Sequence, residues 1–276
     1  MSDSRPIGVF DSGVGGLTVL QELRRQLPGE SLVYLADLER FPYGPRPLAE
    51  VRERAFLVIE HLAEHDIKLV VIACNTATAA ALNAARERFD IPIVGVIAPG
   101  AQAAAAATRN GRVAVISTQG TLDSGEYVHA IKEANPGIAV LGLAAPALVD
   151  IVEAGDAGTP RADEALRPLV DDIIEWGADT LVLGCTHYPL LRPSLRRAVA
   201  RRRLRVIDSA ETTASRVRRV IAANRLQNTA AGPAPAPRVL VTGPPARFVD
   251  TAARLFRSDL ESPVAVRLQP PLAVAR

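Results

Sequence analysis

The chain's two cysteines, Cys74 and Cys185, stand in matching settings. Each ends an apolar run, Leu69-Val-Val-Ile-Ala-Cys74 and Thr180-Leu-Val-Leu-Gly-Cys185, and small polar residues follow, Asn75-Thr76 and Thr186-His187. Such a run reads as a buried parallel strand whose C-terminal end delivers a side chain to a cleft. A thiol between a strand and a helix gains help toward the thiolate from the helix dipole. His187 can orient or protonate the Cys185 thiol, and Asp11 can do comparable work near Cys74. Two matched bases on opposite walls have a natural use: one removes a proton from a stereogenic carbon, the other returns a proton to the opposite face. That reaction needs no redox centre, metal or other cofactor. Ser12, Asn75, Thr76, Thr118, Thr121 and Thr186 offer hydrogen bonds with little bulk, which suits a small oxygenated substrate such as an amino acid with two carboxylates.

The elements that must bring these residues together follow from the apolar pattern. Strands are predicted at 7–10, 31–36, 69–74 and 93–97, with helices over 17–26, 48–65 and 76–89. In the turn Asp11-Ser12-Gly13-Val14-Gly15-Gly16, glycines let backbone approach a ligand beside a helix start. Its spacing is not Gly-x-Gly-x-x-Gly, so a dinucleotide fingerprint fails. The pattern then begins again. A strand at 112–116 ends in Ser117-Thr118-Gln119-Gly120-Thr121, a helix (125–134) and a strand (139–143) follow, and a loop carries Val152-Glu153-Ala154-Gly155. A helix at 162–176 leads to the Cys185 strand. This weak internal repeat predicts an α/β fold of two similar parallel-sheet domains related by a pseudo-twofold axis, with the site in the cleft between them. Further elements, past Arg205-Val-Ile-Asp208-Ser209, are a helix over 211–224, a proline-rich surface connection at 229–237, a strand at 238–242 and a helix over 246–256. No structure is assigned to 270–276.

Composition narrows the classes of function. At 276 residues the chain can bury the cores of two domains, and 48% hydrophobic residues is ordinary for a globular protein. No apolar run approaches the roughly 18 residues of a membrane span. Two cysteines and an N-terminus without an apolar signal segment predict reduced thiols in a cytoplasmic protein. The net charge of +2 does not argue for nucleic acid, although 30 of the 32 basic residues are arginine. Their densest cluster, Arg196, Arg197, Arg201, Arg202, Arg203 and Arg205, has no interleaved aromatic residue to stack on bases, so it reads as a solvated helix face. His61 and His65 have metal-ligand spacing without an evident third ligand, and no metal is expected.

Several motifs together resemble the glutamate racemases of the aspartate/glutamate racemase family: Gly8-Val-Phe-Asp11-Ser12-Gly13-Val-Gly-Gly-Leu17-Thr18, Pro42-Tyr43-Gly44, Ala73-Cys74-Asn75-Thr76-Ala77 and Gly184-Cys185-Thr186-His187-Tyr188-Pro189-Leu190. Weaker matches are Glu153-Ala154-Gly155 and Val241-Thr242-Gly243. The resemblance implies a cofactor-independent enzyme making D-glutamate for bacterial cell-wall peptidoglycan, with Cys74 and Cys185 as the two acid/base residues and Asp11, Glu153 and His187 assisting. It also implies a substrate site lined by Asp11, Ser12, Tyr43, Gly44, Asn75, Thr76, Thr186 and His187, with Thr118 and Thr121 nearby. The implied domains are 1–97 plus 208–276, discontinuous, and 98–207. Two residues depart from the pattern, Leu38 and Ser117, both expected at the pocket edge. The chain also lacks the long N-terminal extension associated with members activated by a cell-wall precursor, so activation of that type is not expected. An aspartate racemase is the nearest rival; a Cys–His hydrolase or a non-catalytic module binding acidic amino acids are the others. Homodimerisation is left open.

Overall fold

The structure, a computed structural model, describes residues 2–200, 204–256 and 260–269. The first half lays down β1 (Ile7–Asp11), α1 (Leu17–Gln26), β2 (Leu32–Ala36), α2 (Leu48–Ala63), β3 (Leu69–Ile72), α3 (Asn75–Arg88), β4 (Ile93–Gly95) and α4 (Ile97–Ala107). Every residue of these four strands is buried, as expected of parallel strands covered by helices on both faces. The second half follows with β5 (Arg112–Ser117), α5 (Gln119–Asp123), α6 (Glu126–Ala134), β6 (Ala139–Ala144), α7 (Ala147–Glu153), α8 (Pro160–Glu175), β7 (Thr180–Gly184), α9 (Arg192–Val199) and β8 (Arg205–Asp208). The chain closes with α10 (Ser209–Ala223), β9 (Arg238–Thr242), α11 (Pro245–Leu255) and β10 (Val264–Val266).

Two all-parallel sheets result, ordered β10-β9-β2-β1-β3-β4 and β6-β5-β7-β8. The inner order 2-1-3-4 of the first recurs as 6-5-7-8 in the second, so the repeat read from the sequence is a repeat of topology. It extends to register. Phe10 pairs with Ile72, two residues before Cys74, and Ile116 pairs with Leu183, two residues before Cys185. Equivalent registers put the two cysteines at equivalent strand ends. The closing segment adds β9 and β10 to the first sheet, with Phe248 of α11 buried in the same core as Val239 and Val241.

Two expectations fail locally. The strand expected at 93–97 stops at Gly95, because Ile97 and the alanine-rich run after it form α4, whose Ile97, Ala101 and Ala104 pack with Val113 and Val182 of the second half. The segment expected as a loop around Glu153 is instead the end of α7, since Leu148, Val149, Ile151 and Val152 bury a full helical face. Gly155, at φ +86, ends it, and the N–H of Asp156 closes the turn on the Ile151 carbonyl. The proline-rich connection is largely exposed, as read. Residues 201–203 of the arginine cluster and 270–276 lie outside the described residues. No described helix is long and apolar enough to cross a membrane.

Candidate active site

Cys74 caps the N-terminus of α3, where its Sγ accepts the Ala77 N–H at 3.5 Å and lies 3.9 Å from Ser12 Oγ. It is 6% exposed. Burial first, and then the negative charge of Asp11, push its pKa well above that of an ordinary thiol; the Ala77 N–H and Ser12 hydroxyl pull the other way and lose. The helix start therefore acts in the expected sense but does not win, and Cys74 rests as a thiol. Asp11, fully buried at the end of β1, accepts the N–H groups of Gly13 and Gly16 on Oδ2, both at 3.1 Å, and the Thr186 hydroxyl on Oδ1 at 3.4 Å. A Cβ on Gly16 would lie 2.5 Å from Asp11 Cβ, so the turn can wrap the carboxylate only with glycine there. Burial raises the Asp11 pKa, and the charge of His187 partly offsets it.

Cys185 is likewise 6% exposed, but a different apparatus faces it. His187 Nδ1 lies 3.8 Å from its Sγ, and Nε2 lies 2.8 Å from Glu153 Oε1. The three side chains form a line from carboxylate to imidazole to sulfur. Burial pulls the His187 pKa down, yet its hydrogen bonds to Cys185 and Glu153 and their charges outweigh this and raise it to about 10. The direction of this shift favours the imidazolium, which has one N–H for the carboxylate and one for the sulfur. Glu153 is held by its backbone as well, since Arg254 of α11 donates to its carbonyl at 2.8 Å.

The two strand-end clusters meet along a close seam. A Cβ on Gly15 would stand 2.5 Å from both His187 Nδ1 and Thr186 Oγ1, so the turn after β1 lies directly on the Cys185 motif. Gly44 accepts the N–H of Gly120 at 3.0 Å across the seam, and a side chain on either glycine would collide with the other wall. Thr76, Thr118 and Thr121 form a triangle of hydroxyls with separations of 3.0, 3.2 and 3.0 Å. Asn75 accepts the Tyr127 hydroxyl on Oδ1 at 2.8 Å, and its Nδ2 is buried without a partner. The other buried side-chain atoms in that condition are remote from the cysteines: Glu30 Oε2, which is ion-paired with Lys68, and the Nε2 atoms of His61 and His65 on and just past α2. An amide donor beside a buried thiol is where an anionic ligand would complete the hydrogen bonding.

The structure thus brings together Asp11, Ser12, Gly44, Asn75, Thr76, Thr118, Thr121, Glu153, Thr186 and His187 with both thiols. Tyr43 is placed differently from a substrate-facing phenol: it is buried, its ring packs in the core that holds Cys74, and its hydroxyl donates to Asp37 Oδ2 at 2.6 Å. Asp37 also receives Arg54 through Nε at 2.7 Å and Nη2 at 2.6 Å, and the Thr242 hydroxyl at 2.6 Å. This buried carboxylate ties β2, α2 and β9 to the loop carrying Tyr43 and Gly44, and sequence reading passed over it; the one available signal was an aspartate ending an apolar strand. Leu38 packs into the core around Val241 and Phe248 instead of edging the pocket. Ser117 is buried at the end of β5, with its hydroxyl on the Thr118 carbonyl at 3.1 Å. Among the described residues, no three of His, Cys, Asp and Glu gather as a metal-binding group.

Comparison with known proteins gives concordant results. Residues 7–217 match the Asp/Glu/Hydantoin racemase family. A glutamate racemase from Shouchella clausii is 42% identical over 271 residues, 98% of this chain and 97% of that protein. The crystal structure of a glutamate racemase isoform from Bacillus anthracis superposes with a TM-score of 0.88 at 39% identity, covering 96% of this chain and 98% of that one. That of the Francisella tularensis glutamate racemase in complex with D-glutamate also reaches 0.88, at 30% identity over 96% of this chain and 98% of that one.

Proposed function

This chain belongs to the Asp/Glu/Hydantoin racemase family and is an isomerase, an amino-acid racemase, and from that premise we propose that it interconverts L- and D-glutamate by proton transfer between Cys74 and Cys185. The observation that carries this reading is the pair of buried thiols, one at the end of each sheet's equivalent strand, close enough that the charge of one raises the pKa of the other. With L-glutamate bound, the Cys185 thiolate takes the α-proton and the electron pair left on carbon spreads into the α-carboxylate. The Cys74 thiol then gives its proton to the opposite face, leaving Cys185 as thiol and Cys74 as thiolate. The reverse sequence serves D-glutamate. Asp11 and Ser12 attend Cys74, while His187 and Glu153 attend Cys185, so the base that receives the L-enantiomer has a cationic neighbour and the acid that completes the reaction rests protonated.

Donors at the seam serve the substrate's carboxylates: Asn75 Nδ2 stands ready, and the hydroxyls of Thr76, Thr118, Thr121 and Thr186 can turn from each other to a ligand. We keep domain limits near 1–97 plus 208–276 and 98–207: β1–β4, β9 and β10 form one sheet and β5–β8 the other, Asp208 still pairing in the second. The Gly120 N–H to Gly44 carbonyl bond links the two halves. The product assigns the enzyme to D-glutamate supply for peptidoglycan, in the cytoplasm, where thiols stay reduced. Glutamate is favoured over the one-methylene-shorter aspartate by the glutamate racemases this chain matches along nearly its whole length. Purified protein given L-glutamate with no added cofactor should drive its optical rotation to zero and leave L-aspartate unchanged. Retained rotation with glutamate, or faster loss with aspartate, overturns the assignment.

A further inference from the structure

Tyr127 lies on α6, in the half that carries Cys185, yet its hydroxyl reaches across the seam to Asn75, the residue after Cys74. The ring is buried among Ile97, Ala101, Val113, Val115 and Val182. Its position depends on small residues around it. A Cβ on Gly184, next to Cys185, would come within 3.0 Å of Tyr127 Cε2, and one on Gly100 within 3.7 Å of the hydroxyl. Burial, and then the charges of Cys185 and Asp208, raise the Tyr127 pKa, so the phenol keeps its proton and donates it. A carboxamide has two ends of nearly equal shape and opposite hydrogen-bonding sense. A phenol donating at 2.8 Å takes the oxygen end, which turns Nδ2 away into the buried position where it has no partner.

We infer that Tyr127 is a positioning residue that locks the Asn75 carboxamide with Nδ2 presented as a donor to a substrate carboxylate. This rests on the reading of the cleft as a glutamate racemase site. Without the phenol hydroxyl, the amide is free to turn its oxygen toward the anionic substrate, and one favourable contact becomes a repulsion. We assign the contact to the substrate's side-chain carboxylate, whose charge does not change during proton transfer. It is therefore made equally in the ground state and the transition state, and its loss falls on KM and spares kcat.

The test is a double-mutant cycle on Tyr127→Phe and Asn75→Ala, assayed with L- and D-glutamate. Tyr127→Phe should raise KM about tenfold in both directions and change kcat less than about twofold. In the Asn75→Ala background it should add nothing, because the group through which it acts is gone. A merely structural role for the phenol would instead cost activity equally in both backgrounds, and that additivity overturns the proposal, as does an unchanged KM in Tyr127→Phe. Should Tyr127→Phe not fold, Asn75→Asp decides the matter. It keeps an oxygen for the phenol and replaces the donor, so KM should rise at least as far as in Asn75→Ala; a wild-type KM overturns the proposal. Failure of the wild-type protein to racemise glutamate would be a different result, since it removes the functional reading itself.

Discussion

The Cys74 and Cys185 units share strand order, register and burial, but they differ in the charge set around the sulfur. Equivalent registers align Asp11 with Ser117, Asn75 with Thr186 and Thr76 with His187. On the first wall a buried carboxylate and a hydroxyl face a thiol whose pKa is driven up. On the second, an imidazolium backed by Glu153 faces the sulfur. Repetition of the fold supplies two buried sulfurs at equivalent strand ends, and on the proposed reading the residues around them suit one unit to hold a proton and the other to take one. Geometry is symmetric here and electrostatics is not.

The largest effect should come from removing either sulfur. Cys74→Ala and Cys185→Ala should each lower racemisation in both directions by about 10²–10⁴-fold, because every turnover needs one base and one acid. Direction can be read separately with a glutamate analogue carrying a leaving group on the carbon next to the α-carbon, since elimination needs only the base. Cys74→Ala should still eliminate from the L-analogue, and Cys185→Ala from the D-analogue. If either variant processes both enantiomers, a single base reaches both faces and the comparison between the walls collapses.

A smaller effect should follow from disarming one wall only. Glu153→Gln removes the carboxylate that accepts from His187 Nε2 at 2.8 Å. The two enantiomers of glutamate have equal free energy in solution, so kcat/KM must fall equally in both directions, and we expect about 10–100-fold. The asymmetry must therefore appear in the partial reaction: elimination from the L-analogue should slow while elimination from the D-analogue keeps its rate. Equal slowing of both would mean that Glu153 serves the cleft as a whole and not the Cys185 wall.

Much of this arrangement was legible in the sequence because it is written in local pattern. Apolar runs stopping at Cys74 and Cys185 marked the strand ends, and the recurrence of turn, strand and helix marked the duplicated topology. What stayed hidden depends on side chains meeting across long separations. Asp37 gathers Tyr43, Arg54 and Thr242, the last 205 residues away, and no local spacing announces that. Tyr127 sits on an amphipathic helix where any buried aromatic reads as core. The Glu153 motif reads as a loop where the chain forms the end of α7, because the apolar residues of that helix span only two turns before Gly155 ends them. Tyr43 shows what a motif alone leaves unread: its hydroxyl is spent on Asp37, which leaves the backbone of the Tyr43-Gly44 loop as the part that can face the cleft.

The seam itself offers a milder perturbation. Thr76→Val keeps the shape of the side chain and removes the hydroxyl shared with Thr118 and Thr121. Those two retain each other at 3.0 Å, so the fold should hold. Loss of one donor to a carboxylate should raise the KM for glutamate about 5–30-fold, from roughly 1–2 kcal/mol of binding, with kcat nearly unchanged. An unaltered KM would place Thr76 outside the substrate's reach and leave its hydroxyl a purely structural link between the walls.

The smallest effect tests the electrostatic difference without substrate. The folded pKa of His187 is raised from 6.5 to about 10, so folding is linked to its proton. A raised pKa contributes stability that is fully present below about pH 6.5 and is lost as pH climbs toward 10. Within that window one proton sets a ceiling of about 1.4 kcal/mol of lost stability per pH unit. For a chain of this size that corresponds to roughly 2–4 °C in Tm per unit. Below about pH 8 Cys74 adds little to this loss, because its thiol stays protonated in the folded state and an ordinary unfolded thiol, which ionises at about pH 8.5, is still largely protonated there. Thermal unfolding of the wild type from pH 7 to 8 should therefore show Tm falling, while His187→Asn shows a nearly flat line over the same range. Glu153→Gln should fall between them, since it leaves the Cys185 contact in place and removes one of the two partners that raise the pKa. Parallel slopes for wild type and His187→Asn would mean that the imidazole carries no extra proton in the folded state, and that the second wall lacks the cation that sets it apart from the first.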